Sequence, residues 1–299
     1  MRPPALPNAR LLWAFDFDGV LCHSAKELCL TGWAAAQEFW PSETQTWPKR
    51  PGPATLSSFY RVRPVVETGW EVMLINRALQ EGEYSADTIL KEYTASLRES
   101  LMKEYGGHAP EAYMDTFRSV RQAWMTRDER GWLSENDFYP TAVSSIKHLL
   151  SSHPPSSPST YIVTTKGKEF TLKLLEGMGV AMPESCVFGL GSGKKVDVLQ
   201  QLLDKYDAES KAREGKEKKE AKEGDMETRV IFIEDRLQTL LGILDHPSPD
   251  VRDRADLLLA GWGYNTAEER AVAASHPSIT YLETEQALLD YVKERHRNL

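Results

Sequence analysis

Apolar residues along this chain fall into two patterns. Short apolar runs recur at residues 11–15 (Leu-Leu-Trp-Ala-Phe), 161–163, 186–188 and 230–233, and, with one polar residue each (Asp256 and Thr280), at 256–260 and 279–282. Runs of this length, apolar on nearly every position, predict strands covered on both faces, as in a parallel sheet. Between them apolar residues recur at helical spacing. Residues 25–39, 86–105, 112–125, 142–150, 168–178, 196–206, 237–244, 268–274 and 284–295 read as helices, and a further segment runs from Arg63 toward Leu79. Pro41 closes the first helix, and Gly106-Gly107 closes the second. Strands alternating with helices predict an α/β fold with a doubly wound, Rossmann-like parallel sheet.

One interval breaks the alternation. Residues 22–138 show helices and no strand pair, and are far too long for a crossover. They are expected to be an inserted helical domain, with residues 1–21 and 139–299 forming the sheet domain. Six of the eight tryptophans (Trp33, Trp40, Trp47, Trp70, Trp124 and Trp132) lie in it, as the core of a separate unit would require. A proline- and serine-rich loop is expected at 151–159. Residues 207–228 are almost wholly charged residues, alanine and glycine; they are expected to be a mobile surface insertion in the sheet domain.

The totals narrow the function. The chain has 299 residues and a net charge of −8, without a basic block free of acidic neighbours, which argues against nucleic acid as a partner. No apolar run approaches a membrane span. The first ten residues hold three prolines and no secretory signal. Three cysteines, Cys22, Cys29 and Cys186, fit a reducing compartment, so a cytoplasmic location is expected, or an organelle after loss of a transit peptide. Cys22 is expected to be a packing residue, because adjacent His23 points elsewhere.

Candidate chemistry gathers at the predicted strand ends. Asp16 and Asp18 follow the first run and, two apart in extended structure, can share one site; Gly19 permits a tight turn there. Thr164 and Thr165 follow the second strand, Lys194 and Lys195 open the helix after the third, and Glu234-Asp235 end the fourth. A parallel sheet collects such ends on one edge. Taken singly, each has a plainer explanation: Asp235 could cap the helix from Leu237, the lysines could be surface residues, and Thr164 an ordinary strand threonine. A calcium loop starting at Asp16 fails at Val20 and Leu21, where an oxygen ligand and a glycine are needed. Together the groups suit phosphoryl transfer: a carboxylate nucleophile, a hydroxyl and an ammonium for the phosphoryl oxygens, and acids for a magnesium ion.

The sequence Asp16-Phe17-Asp18-Gly19-Val20-Leu21 resembles the first motif of the haloacid dehalogenase superfamily, Asp-x-Asp-Gly-x-Leu, and the three later stretches follow in order. The resemblance covers the sheet domain, is closest to phosphoglycolate-phosphatase-like members, and makes the helical insertion a cap. It implies that Asp16 is the nucleophile and Asp18 the general acid and base. Thr164, Thr165 and Lys195 bind phosphate, with Lys194 as the alternative lysine. Magnesium binds the Asp16 carboxylate, the Asp18 main-chain carbonyl and Asp235. A closing cap implies a small phosphorylated substrate, with Arg61, Arg63, Arg77 and Trp70 as candidate contacts.

The sequence departs from the pattern in places. Thr165 stands where asparagine is frequent, and His23 where aspartate is. Glu234-Asp235-Arg236 replaces Gly-Asp, and Thr239 and Leu240 occupy the places of the usual second aspartate, so that Glu234 is a candidate for the missing charge. Phe138-Tyr139-Pro140-Thr141 replaces Tyr-Pro-Gly. Rival readings are a phosphomutase, a dehalogenase and a non-catalytic binding or scaffold protein on the same fold. A dehalogenase needs neither metal nor second acid, so Asp18 and Asp235 argue against it. The sequence is silent on oligomeric state.

Overall fold

The computed structural model describes residues 9–152, 159–214 and 227–297. The chain divides into two compact units: one holds the described residues up to Cys22 and from Phe138 onward, the other His23–Asp137.

The first unit is a six-stranded sheet. Its strands are β1 (Ala9–Phe15), β4 (Thr160–Val163), β5 (Val187–Phe188), β6 (Glu227–Glu234), β7 (Ala255–Ala260) and β8 (Ile279–Leu282). They lie in the order β5-β4-β1-β6-β7-β8, every pair parallel. The order reverses at β1, which pairs with β4 on one side and β6 on the other. That reversal is where open α/β sheets form a ligand crevice.

Helices cover both faces, which is why the strands are apolar throughout. Leu12 and Ala14 of β1 join Tyr161, Val230, Phe232, Leu257 and Leu259 in a core closed by Val198, Leu199 and Leu202 of α10 (Lys195–Glu214) and Leu237 and Leu240 of α11 (Leu237–Leu244). The alternate residues Leu11, Trp13 and Phe15 face the other way and are equally buried. There Trp13 meets the ring of Tyr291 edge-on, on α14 (Glu285–Arg297), which packs on α8 (Pro140–Ser152). The remaining helices of this unit are α9 (Lys168–Gly177), α12 (Pro249–Arg254) and α13 (Ala267–Ser275).

The second unit is built from α1 (Ala25–Phe39), α2 (Pro53–Val62), α3 (Glu71–Glu81), α4 (Ala86–Glu92), α5 (Ala95–Glu104), α6 (Pro110–Arg127) and α7 (Glu129–Ser134). Trp33, Trp40, Trp70 and Trp132 are all buried. The α1 and α3 backbones meet closely at Gly32, where an added Cβ would lie 2.5 Å from Val72 Cγ1. Glu27 of α1 is fully buried and accepts from Arg121 Nε and Nη2 of α6 at 2.9 and 2.8 Å and from Trp132 Nε1 of α7 at 3.0 Å. Burying that carboxylate is tolerable only because its oxygens are fully engaged.

Several expectations change. The stretch 86–105, read as one helix, is two, α4 and α5, and α2, α7 and α12 fall where no helix is expected. Residues 22–138 were predicted to hold no strand pair, yet β2 (Cys22–His23) and β3 (Asp137–Phe138) form a two-stranded sheet where the chain passes between units. Two-residue strands are too short to leave a pattern. The stretch 207–228 is ordered at both ends. Helix α10 continues to Glu214, with Asp207 held by Arg254 at 2.8 Å through both carboxylate oxygens, and β6 starts at Glu227 because β1 extends back to pair with it. Residues 215–226 lie outside the described residues, as do 153–158 of the expected proline- and serine-rich loop.

Candidate active site

Asp16 leaves the end of β1, and Glu234 and Asp235 leave the end of β6, the strand beside it. The ladder sets this level: Phe15 pairs with Ile233, and Asp16 N–H donates to Ile233 O at 2.8 Å. All three acids are buried. One oxygen from each lies within 4.8 Å of the others.

Lys195, the first residue of α10, reaches into this group. Its Nζ is 2.9 Å from Asp16 Oδ2 and 2.7 Å from Glu234 Oε2. Lys194 is exposed instead. Burial would lower the Lys195 pKa, but the two carboxylates outweigh it and hold the ammonium above its ordinary value. Burial pushes Asp16 the other way, up to about 6, against the pull of Lys195 and with added repulsion from Glu234. The two directions agree physically: one ammonium serves two carboxylates, so one negative charge there stays uncompensated.

Asp235 is locked by the loop after β7. Its Oδ2 accepts from Tyr264 N–H at 2.7 Å, and its carbonyl from Asn265 Nδ2 at 2.9 Å; Asn265 Nδ2 also donates to Ala260 O at 2.9 Å. Gly19, at φ +83°, makes the close approach possible, because a Cβ there would fall 1.8 Å from Asp235 Oδ2.

Asp18 sits apart from the three acids. Its two oxygens each lie 3.1 Å from Lys166 Nζ. Thr164 follows β4 directly and is buried; its N–H donates to Phe188 O at 2.9 Å, and its Oγ1 accepts from Lys166 N–H at 3.2 Å. Thr165 is exposed. In the helical unit the four candidate contacts are engaged locally. Arg61 pairs with Asp87, Arg63 donates to Val66 O, Arg77 pairs with Glu81 over the Trp40 and Tyr105 rings, and Trp70 stacks on Tyr113.

Sequence reasoning missed Lys166 and the Tyr264–Asn265 clamp. A buried lysine reads like any surface lysine. The clamp left one signal, the glycine-rich stretch Gly261-Trp262-Gly263-Tyr264-Asn265.

The residues fit a divalent cation. Asp16, Glu234 and Asp235 offer hard oxygen donors, and Asp16 Oδ1 is buried with no hydrogen-bond partner. The three carboxylates of Asp16, Glu234 and Asp235 against the one ammonium of Lys195 leave two negative charges, the amount a divalent ion neutralises.

No family model and no curated protein matches the sequence. Solved structures do match. A protein from Lactobacillus delbrueckii subsp. bulgaricus assigned as a phosphoglycolate phosphatase is 13% identical with a TM-score of 0.51, covering 96% of this chain and 99% of its own. One from Clostridium difficile assigned as a phosphatase is 14% identical with a TM-score of 0.51, covering 95% of this chain and 100% of its own. A haloacid dehalogenase-like family hydrolase from Streptococcus pneumoniae is 15% identical with a TM-score of 0.49, covering 96% and 99%. At such identity the likeness speaks for the fold alone: the two structures at a TM-score of 0.51 share the parallel-sheet α/β fold of this chain over nearly its whole length.

Proposed function

We propose that this protein is a magnesium-dependent phosphatase that hydrolyses a small phosphorylated metabolite through an aspartyl-phosphate on Asp16. The observation that carries the reading is the buried Lys195 ammonium shared between Asp16 and Glu234, with Asp235 in the same group of acids. A purely structural site gains little from burying two carboxylates on one lysine with a third beside them, since desolvation offsets the attraction. A phosphoryl site uses the same arrangement to bind and stabilise charge.

In this reading Asp16 attacks phosphorus. The bond between Asp16 Oδ and phosphorus forms as the bond to the leaving oxygen breaks, and Asp18 gives that oxygen its proton. A water then attacks, Asp18 takes the water's proton, and the Asp16–phosphorus bond breaks to release phosphate. Lys195 and Thr164 hold the phosphoryl oxygens, with Thr165 at the exposed side. Asp16, Glu234 and Asp235, with the Asp18 main-chain carbonyl that the resemblance assigns, would hold magnesium. When bound, it neutralises charge between the anionic nucleophile and the anionic substrate. The helical unit, residues 23–137, takes the part of the cap, and its closure is what restricts the substrate to a small molecule.

The test is hydrolysis of an aryl phosphate with and without magnesium, by wild type and Asp16→Asn. Turnover that needs magnesium and falls at least about 1,000-fold in the variant is the expected result, the scale on which removal of a nucleophile acts. A folded wild type that hydrolyses neither aryl nor alkyl phosphates overturns the proposal.

A further inference from the structure

We propose that Lys166 is a positioning residue that fixes the carboxyl group of Asp18 for proton transfer to the leaving oxygen. The inference rests on the phosphatase reading and assigns a part to a residue which that reading leaves idle.

Lys166 is not a surface cation. Its side chain is 1% exposed, while the Asp18 side chain is 17% exposed. A buried ammonium must be matched by an anion, and Asp18 supplies both oxygens at 3.1 Å. The base of the lysine is equally fixed. Its N–H donates to Thr164 Oγ1 at 3.2 Å, and its carbonyl accepts from Leu190 N–H at 2.9 Å. Gly189 crosses so closely that a Cβ there would lie 2.8 Å from the Lys166 carbonyl oxygen. The lysine is therefore held from both sides, and its Nζ presents a fixed point to Asp18.

The chemistry gives that point a use. A general acid must aim one particular oxygen at the atom it protonates, within about 2.6–3.2 Å. A carboxyl group free to rotate offers that oxygen only part of the time. With Nζ astride both oxygens, rotation is restrained. When Asp18 is protonated, the oxygen without the proton stays an acceptor for the ammonium, and the proton is left on the other oxygen, toward the substrate. The three metal-binding acids and Lys195 lie outside this pair, so Lys166 acts on proton transfer and not on the nucleophile.

Leaving groups separate this role from a structural one. A p-nitrophenolate departs without a proton; an alkoxide such as that of glycerol phosphate does not. Because kcat/KM covers only the steps up to loss of the leaving group, the ratio of kcat/KM for glycerol phosphate to that for p-nitrophenyl phosphate reports on the acid. In Lys166→Met this ratio is expected to fall about 100-fold, the lower range of general-acid effects. Lys166→Arg is expected to recover most of it, and adding Lys166→Met to Asp18→Asn to change the ratio no further. An unchanged ratio in a folded Lys166→Met protein, both substrates slowing alike, overturns the proposal. Should Lys166→Met fail to fold, the same ratio in Lys166→Gln decides. Failure of the phosphatase reading itself looks different: the wild type then turns over neither substrate, or Asp16→Asn leaves turnover intact.

Discussion

At the scale of single residues, burial governs reactivity as much as chemistry does. Cys29 is enclosed, its thiol donating to Asn76 Oδ1, and desolvation pushes it from its ordinary 9.0 up to about 12. The unfolded chain releases that proton near pH 9 while the folded one keeps it. Cys29 therefore subtracts from stability as pH rises between about 9 and about 12. Cys22 and Cys186 are buried too. Iodoacetamide at pH 8 is expected to leave all three thiols unmodified in the native protein and to label all three in urea; labelling of native protein in the mass spectrum would contradict the enclosure. The same scale shows what sequence carried of the site. Asp16, Thr164, Lys195 and Asp235 stand out because each ends a strand or opens a helix, and topology alone collects such positions. Lys166 has no such mark. Its identity as a buried partner of Asp18 exists only once the turn after β4 is folded against Gly189.

At the scale of elements, helices α1, α6 and α7 are joined by one carboxylate. Glu27 holds the Arg121 guanidinium in a two-pronged pair and also accepts from Trp132 and from Thr31 at 2.7 Å. Glu27→Ala leaves a buried guanidinium without its anion, and is expected to cost about 3–5 kcal/mol. Arg121→Met in the same background should return part of that. Urea unfolding followed by tryptophan fluorescence measures both, and a Glu27→Ala loss below about 1 kcal/mol would show that water replaces the pair. Amphipathic spacing located α1 and α6 but not the six-residue α7, and the apolar runs located all six strands of the sheet. It did not reveal that Glu27, within an apolar stretch, is buried, because a polar residue on a helix is indistinguishable by period from one that faces water. The paired strands β2 and β3 were invisible for a different reason: two residues have no period at all.

At the scale of the whole molecule, the two units have separate cores, and the chain passes between them only at Cys22–His23 and Asp137–Phe138. Since those two passages pair as strands, the ends of the helical unit are neighbours. Replacing residues 23–137 by a short glycine–serine linker is expected to leave a protein that melts cooperatively by circular dichroism. A chain that stays unfolded would mean that the sheet unit needs its insertion. No described helix is long and apolar enough to cross a membrane.

The strand order carries a consequence for how this protein is made. Of the described strands β1 is made before the others, yet it lies in the middle of the sheet and its partner β6 is synthesised roughly 200 residues later. At the pace of translation that is a wait of about 10–40 s. Until β4 follows, a wholly apolar strand, Leu11–Phe15, has both edges open to any passing chain, and the edge that β6 will take stays open for the full interval. The helical unit, complete in sequence before β4 or β6 exists, can fold during this pause. The newborn protein thus passes through a stage with a finished insertion and an unpaired central strand, and that stage is where holding chaperones and aggregation compete for it.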